Sequence, residues 1–291
     1  MVRELWNYSI NNVIKLGLGD SLSYGEVKLN LSPVAALIAA LLIIVLTQKS
    51  DGGMIVSLFQ PQAVLIVLGG TFCAALLNFN LTTLINALKS SLEVFKNEQQ
   101  HIKVIDEILF LAHHAKQKGL FALNGFIENI QDPFLKRGIQ LSMDYNNPQM
   151  IYDILKAEIA FTEEEEFINS RVFEALGGYA PTFGIVGAVM GLIHIMSYIQ
   201  QPEVLGHGIA VAFVSTLYGV GFANLLFLPV AGKLKLNLRE KILLKEVILQ
   251  GIVSIQMGET PIVVEEKLLT YLNYHNKHHS IPDRAAENYG V

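Results

Sequence analysis

An all-α membrane protein with four transmembrane helices and a helical domain outside the bilayer is the fold class this sequence predicts. Three observations carry it. The chain is 52% hydrophobic but only 16% charged over 291 residues, with a mean hydropathy of +0.41, outside the range of ordinary soluble domains. Two apolar runs between Gly177 and Ala231, joined by a short polar turn, each hold about 20 residues without a formal charge, enough to cross ~30 Å of hydrocarbon. No run of alternating apolar residues is long enough to argue for a sheet.

The same numbers exclude other classes. A net charge of -5 gives no basic excess for nucleic acid. The single cysteine, Cys73, sits in an apolar run, so there is neither a disulfide framework nor a thiolate metal site. No Ser/His/Asp set, phosphate loop or metal spacing suggests an enzyme, and no catalytic residue, metal or cofactor is expected. The first long apolar run is followed by no convincing small-residue cleavage site, so it is read as an anchor and not as a secretory leader.

In chain order, residues 1–30 form a mixed N-terminal segment with Trp6, Tyr8 and Tyr24 among polar residues and no clear periodicity. Residues 31–79 hold the first two spans, Leu31 to Thr47 and Ala63 to Phe79; Ala35, Ala36, Ala39 and Ala40 favour a close helix neighbour in the first. Residues 80–176 read as soluble helix, with Ile102, Ile105, Ile108, Leu109 and Ala112 at the spacing of a half-buried face. Asp132-Pro133 and Asn147-Pro148 each place a capping side chain before a proline and so open helices. The run Glu163 to Glu166 is read as the solvated face of one long helix from Pro148 toward the membrane, against a capping box at Thr162 and Glu165 or an ion-attracting vestibule. Residues 177–231 hold spans three and four, and 232–291 a C-terminal amphipathic helix to about Met257, a short helix opened by Thr260-Pro261, and a mobile polar tail with His275, His278 and His279.

Lysine and arginine follow the second and fourth spans, whereas the two short turns hold Lys49 alone, so both termini and the middle domain are expected on the cytoplasmic side of a bacterial inner membrane. Gly184, Gly187, Ala188 and Gly191 on one helix, and Gly208, Ala212, Ser215, Thr216, Gly219 and Ala223 on the other, recur at four-residue spacing, the pattern of backbones in close contact. Pro181 and Pro229 each remove one helical hydrogen bond. None of the four spans holds Asp, Glu, Lys or Arg, and His194 is the only titratable candidate for ion transfer inside them, as a relay or as a residue of the outer interface.

The order Ala-Pro-Thr-Phe-Gly-Ile-Val-Gly from Ala180, a polar turn, then Gly-Ile-Ala-Val-Ala-Phe-Val-Ser-Thr-Leu-Tyr-Gly from Gly208, resembles the MotA/PomA family of flagellar motor stator proteins. The second span, from Pro61 to Phe79, resembles that family too. The resemblance implies a homo-oligomeric, pentameric ring in the lipid bilayer around two single-span MotB-type subunits that bring an essential aspartate. It implies an ion pathway along Pro181, Ala188, Ser215, Thr216 and Pro229, with Ala188 where sodium-driven members carry threonine, and hence protons as the ion. It also implies a contact with the rotor protein FliG, through a motif whose Arg and Glu are replaced here by Lys116 and Asn124, with Lys118 and Glu128 as substitutes. The alternatives are the related ExbB/TolQ class, which resembles a three-span arrangement with one span before the soluble segment, and a self-sufficient channel, which would need an ion-binding group in its own spans.

Overall fold

The computed structural model describes residues 32–50, 58–93, 101–197 and 202–279, and every regular element among them is helical. The N-terminal segment, residues 1–30, lies outside the described residues. The helices are α1 (Ser32–Ser50), α2 (Pro61–Asn78), α3 (Leu81–Glu93), α4 (His101–Lys118), α5 (Pro133–Asp144), α6 (Pro148–Ser197), α7 (Pro202–Phe222), α8 (Leu228–Gln256) and α9 (Pro261–His279). A 3-10 stretch, Leu120–Asn129, links α4 to α5.

Two long helices organise the molecule. α6 runs for 50 residues without a break, about 75 Å at 1.5 Å per residue, and its C-terminal half carries the apolar run expected for span three. α7 passes into α8 through a π-helical turn, Ala223–Phe227. That turn has a local cause: Pro229 offers no N–H to the carbonyl one turn back, and the helix widens there instead of ending. Thr162 does not cap a new helix. Its hydroxyl donates to the Glu158 carbonyl at 2.8 Å, inside α6, as the long-helix reading requires.

Because α6 and α8 each pass through both layers, the structure has two packed clusters and no break between them. The membrane-side cluster gathers Ala75, Leu84, Ala87, Val172, Phe173, Leu176, Ala180, Ala223, Phe227 and Ala231. The other is the core of a helical domain built from α4, α5, the first half of α6, the second half of α8 and α9, with Ile108, Leu111, Leu135, Leu155, Ile248 and Ile252 at its centre. The division expected at residues 176 and 177 falls in mid-helix. The expected caps are present: Asp132 accepts from the Leu135 amide at 2.9 Å, and Asn147 from Gln149 at 3.0 Å and Met150 at 3.3 Å.

α2, α6 with its apolar half, and the α7–α8 rod are each long and apolar enough to cross a membrane; α1, the other expected span, contributes a shorter apolar stretch, Ala35–Ser50. Large apolar side chains point outward along these helices, among them Leu77 at 92% exposure and Met196 at 75%. In water such a surface would drive aggregation, whereas lipid or a partner helix covers it. α9 carries the helix through His275, His278 and His279, so these residues lie on a helix and not in an irregular tail.

A ladder of polar contacts joins the two rods where they leave the apolar layer. Lys235 pairs with Glu174, Lys241 with Glu166 and Lys156 with Glu246, while Lys245 donates to Thr162 at 3.0 Å and lies 5.0 Å over the Phe134 ring. The hydrogen bond from Lys156 to Glu246 raises the lysine's pKa. Burial lowers that of Lys245. Of the acidic run, Glu166 therefore holds α8, and Glu163, Glu164 and Glu165 are exposed, as the solvated-face reading has it.

Candidate functional site: the small-residue hairpin

The glycines of α6 and α7 meet one another. A methyl group on Gly184 would lie 3.0 Å from the Ser215 carbonyl oxygen and 3.4 Å from Thr216 Cα; one on Gly191 would lie 2.9 Å from the Gly208 carbonyl; one on Gly219 would lie 2.6 Å from the Ala180 carbonyl. At Gly191 and Gly219 a methyl would force the facing backbone to shift, and at Gly184 the fit is tight, so the four-residue stripe brings two backbones of the same chain together. That accounts for the spacing without a second copy. Further along the hairpin, a methyl on Gly177 would meet the Leu228 side chain at 2.6 Å, so the residue before Pro229 packs one turn below Pro181, which itself lies beside Gly219.

α2 closes one flank of this hairpin. A methyl on Gly187 would meet the Ser215 side chain at 2.7 Å and Ile66 of α2 at 3.4 Å, so Gly187 and Ser215 face inward, toward α2. Ser215 is fully buried, and its hydroxyl donates to the Val211 carbonyl at 2.7 Å. Tyr218, on the same side of α7, donates its hydroxyl to the Leu58 carbonyl and holds the start of α2. Glycine also lets α2 approach from its own side, since a methyl on Gly70 would overlap the Phe183 ring.

The opposite flank is open. Successive helical residues turn by about 100°, so Thr216 leaves the face that Ser215 occupies and is exposed. Pro181 lies beside Gly219, and Pro181 and Ala188, half-buried, edge the same flank of α6. The structure thus brings Pro181, Ala188 and Thr216 to one uncharged flank and turns Ser215 away from it. Pro229 is exposed on the next helix, below the π turn. His194 is on the α2 side, in a groove of about 540 Å³ with Pro61, Gln62, Ile66, Met190 and Gly208 among its lining residues, and not on the open flank.

The four residues expected at the rotor contact lie in the helical domain and do not converge. Lys116, at the end of α4, donates to the Gly258 carbonyl at 2.6 Å. Lys118 and Asn124 are exposed. Glu128 is 89% exposed and pairs with Lys136 at 3.4 Å. The Lys116 bond joins two turns, each opened by a glycine with positive φ, Gly119 at 82° and Gly258 at 68°. Sequence reading misses this junction because its two sides lie 142 residues apart. Among the described residues no group of three or more His, Cys, Asp or Glu could hold a metal ion.

Known proteins are similar to this chain in sequence and in fold. Residues 126–246 match the MotA/TolQ/ExbB proton channel family. Motility protein A of Bacillus subtilis (strain 168) is 36% identical over 220 residues, covering 74% of this chain and 81% of its own. Chemotaxis protein PomA of Vibrio alginolyticus is 32% identical over 223 residues, covering 76% and 87%. In structure, a chain of the flagellar MotAB stator complex from Bacillus subtilis superposes with a TM-score of 0.76 at 32% identity, over 88% of this chain and 100% of its own. A chain of C. jejuni MotAB gives 0.77 at 27% identity, over 83% and 95%.

Proposed function

The chain belongs to the MotA/PomA family of flagellar motor stator proteins, and we propose that it is the stator subunit that rings a MotB-type partner, lets protons pass beside it and transmits torque to the rotor. One observation supports this most: the spans offer an open, uncharged flank with Pro181, Ala188 and Thr216, and none of them carries a carboxylate. Ion transfer through hydrocarbon requires an ionisable or ion-ligating group. A subunit without one works as the wall around a group supplied by another chain. The chain is a bacterial inner-membrane protein of a channel and stator family. We place its termini in the cytoplasm, its copies in a pentamer, and its helical domain against FliG.

Ala188 favours protons over sodium. Sodium must exchange water for fixed oxygens in a narrow path, and a methyl group supplies none, so Thr216 alone remains of the hydroxyl pair. The test uses proteoliposomes holding the chain alone or with a single-span partner that bears the aspartate. Potential-driven acidification is expected only with the partner. Robust flux from the chain alone would favour a self-sufficient channel. Swimming driven by this stator should then be insensitive to sodium at fixed pH and stop with a protonophore; speed that rises with sodium and survives the protonophore would reverse the ion assignment.

A further inference from the structure

The π turn between α7 and α8 frees an oxygen that the pathway residues named above do not include. In a regular helix the main-chain carbonyl of Asn224 would accept from the amide of Leu228, four residues on. Here the Leu228 amide donates to Ala223 instead, five residues back, which is the bond of the wider turn. The next donor along the chain would be residue 229, and it is a proline with no N–H to give. The main-chain oxygen of Asn224 is therefore left without a helical donor.

The side chain of the same residue adds a second oxygen. Asn224 is exposed, and its Nδ2 donates to the Val220 carbonyl at 2.9 Å, while among the described residues nothing donates to its Oδ1. Thr216, Val220, Asn224 and Leu228 follow one another at four-residue spacing and are all exposed, whereas Ala223 and Phe227 face the packed interior. Asn224 thus stands on the flank that carries Thr216, two turns nearer the helical domain.

Depth decides what can satisfy these oxygens. Lys233, the first charged residue after the span, lies nine residues on, about 13 Å at 1.5 Å per residue. The headgroup layer is only about 6 Å deep on each side of the hydrocarbon, so Asn224 sits inside the apolar layer. Two oxygens without donors are costly there, and such groups persist where protein or a water-filled path meets them. Their neighbours on the row, Val220 and Leu228, have no side-chain donor to offer. Water does.

We propose that Asn224 is a further residue of the ion pathway, whose main-chain carbonyl and Oδ1 together hold a hydronium ion, or the water that replaces it, between Thr216 and the end of the span. This rests on the motor reading above and deepens it, since it gives Pro229 a chemical part: by withholding an N–H, the proline keeps the Asn224 carbonyl open. Neither oxygen titrates near neutral pH. The site therefore takes up the proton as hydronium and passes it to the next water without changing its own charge. A hydronium ion donates three hydrogen bonds, two to these oxygens and one to that water, whereas sodium asks for a fuller set of oxygens in place of its hydration shell.

The test uses the whole chain in complex with an aspartate-bearing single-span partner, in proteoliposomes. Asn224→Leu keeps the size of the side chain and removes the carboxamide. Proton flux should fall about tenfold, the worth of a hydrogen bond to a charged group, with the amount and detergent stability of the complex at the wild-type value. Asn224→Gln, which keeps an amide oxygen, should recover most of the flux. Water at the site is read separately, by thiol labelling in a Cys73→Ala background. Asn224→Cys should react with a charged, membrane-impermeant reagent added from the side of the helical domain, because thiolates form where water reaches. Leu226→Cys, at an exposed residue on another face of the same turn, should not. Where Asn224→Leu lowers the amount of complex, the labelling pair decides. Wild-type flux in Asn224→Leu, or equal labelling of the two cysteines, overturns the inference alone. A wild-type complex that carries no protons overturns the motor reading and this inference with it.

Discussion

Replacing Gly219 by alanine tests whether the hairpin is held by backbone contact. The new methyl would lie 2.6 Å from the Ala180 carbonyl oxygen, 3.0 Å from Gly184 Cα and 3.2 Å from Pro181 Cα. All three are main-chain atoms, so no side chain can rotate away. Ordinary contact between such atoms is about 3.5 Å, and relief means parting α6 from α7 by most of an ångström along the whole stripe. Overpacking of this kind costs about 1–3 kcal/mol, and the contact on a carbonyl places it near the upper end. Alanine returns up to about 1 kcal/mol of helix propensity, leaving a net loss of about 2 kcal/mol, or roughly 30-fold in the folding equilibrium. At Gly221, two residues on, an added methyl would meet nothing within 4 Å, so Gly221→Ala should keep the propensity gain and be neutral or stabilising. Denaturation of the purified chain by titrated detergent, for both variants, measures the difference. Equal stability would refute the claim that Gly219 is required by the approach of Ala180.

Each hydroxyl donates to the carbonyl one turn back, Ser215 to Val211 at 2.7 Å and Thr216 to Ala212 at 3.4 Å, but Ser215 is buried against α2 and Thr216 is exposed on the open flank, so Ser215→Ala should leave proton flux in the partnered complex unchanged and Thr216→Val should cut it about fivefold, the worth of one hydrogen bond; liposome acidification separates the two. Asp132→Ala should destabilise the helical domain by about 1 kcal/mol through loss of the α5 cap, read by thermal melting. Glu259 has its pKa lowered, first by the hydrogen bond from Lys267. An unfolded chain therefore takes up that proton before the folded one does. The pair's contribution is complete above the ordinary carboxylate range near 4.5 and is lost as pH falls through the folded value. Both side chains are partly exposed, so the effect should stay under about 1 kcal/mol and vanish in Lys267→Met when melting is followed from about pH 6 to about pH 3.5.

Most of the architecture is legible in the sequence because it rests on local signals. Apolar length marks the spans, and Asp132 and Asn147 before proline mark two helix starts, each a matter of one backbone turn. What escapes reading depends on pairs distant in sequence. Ser215 and Thr216 are neighbours with the same chemistry, and only the position of α2 against Gly187 tells that one faces inward and the other outward. The four-residue glycine stripe does not say whether its partner is another copy or the same chain; the contact of Gly219 with Ala180 decides it. The place of Lys116 in a motif marks it as a surface charge, while its bond reaches across 142 residues to Gly258.

The continuity of α6 matters more for the motor reading than any single residue. Pro181 and the change from polar to apolar composition both suggest a joint where membrane and soluble parts meet, yet the helix passes through, losing one hydrogen bond at most. A second rod, α7 with α8, also passes through, with its irregularity confined to the π turn before Pro229. The ladder of Glu174, Glu166 and Glu246 against Lys235, Lys241 and Lys156 ties the rods where the bilayer no longer supports them. Each exposed pair adds little stability alone, but together they resist sliding of one rod past the other, because a slip of one turn would bring several charges out of register. A displacement beside Pro181 is then carried along two stiff members, α6 to its start at Pro148 and α8 to the Gly258 turn, where a flexible joint would have absorbed it.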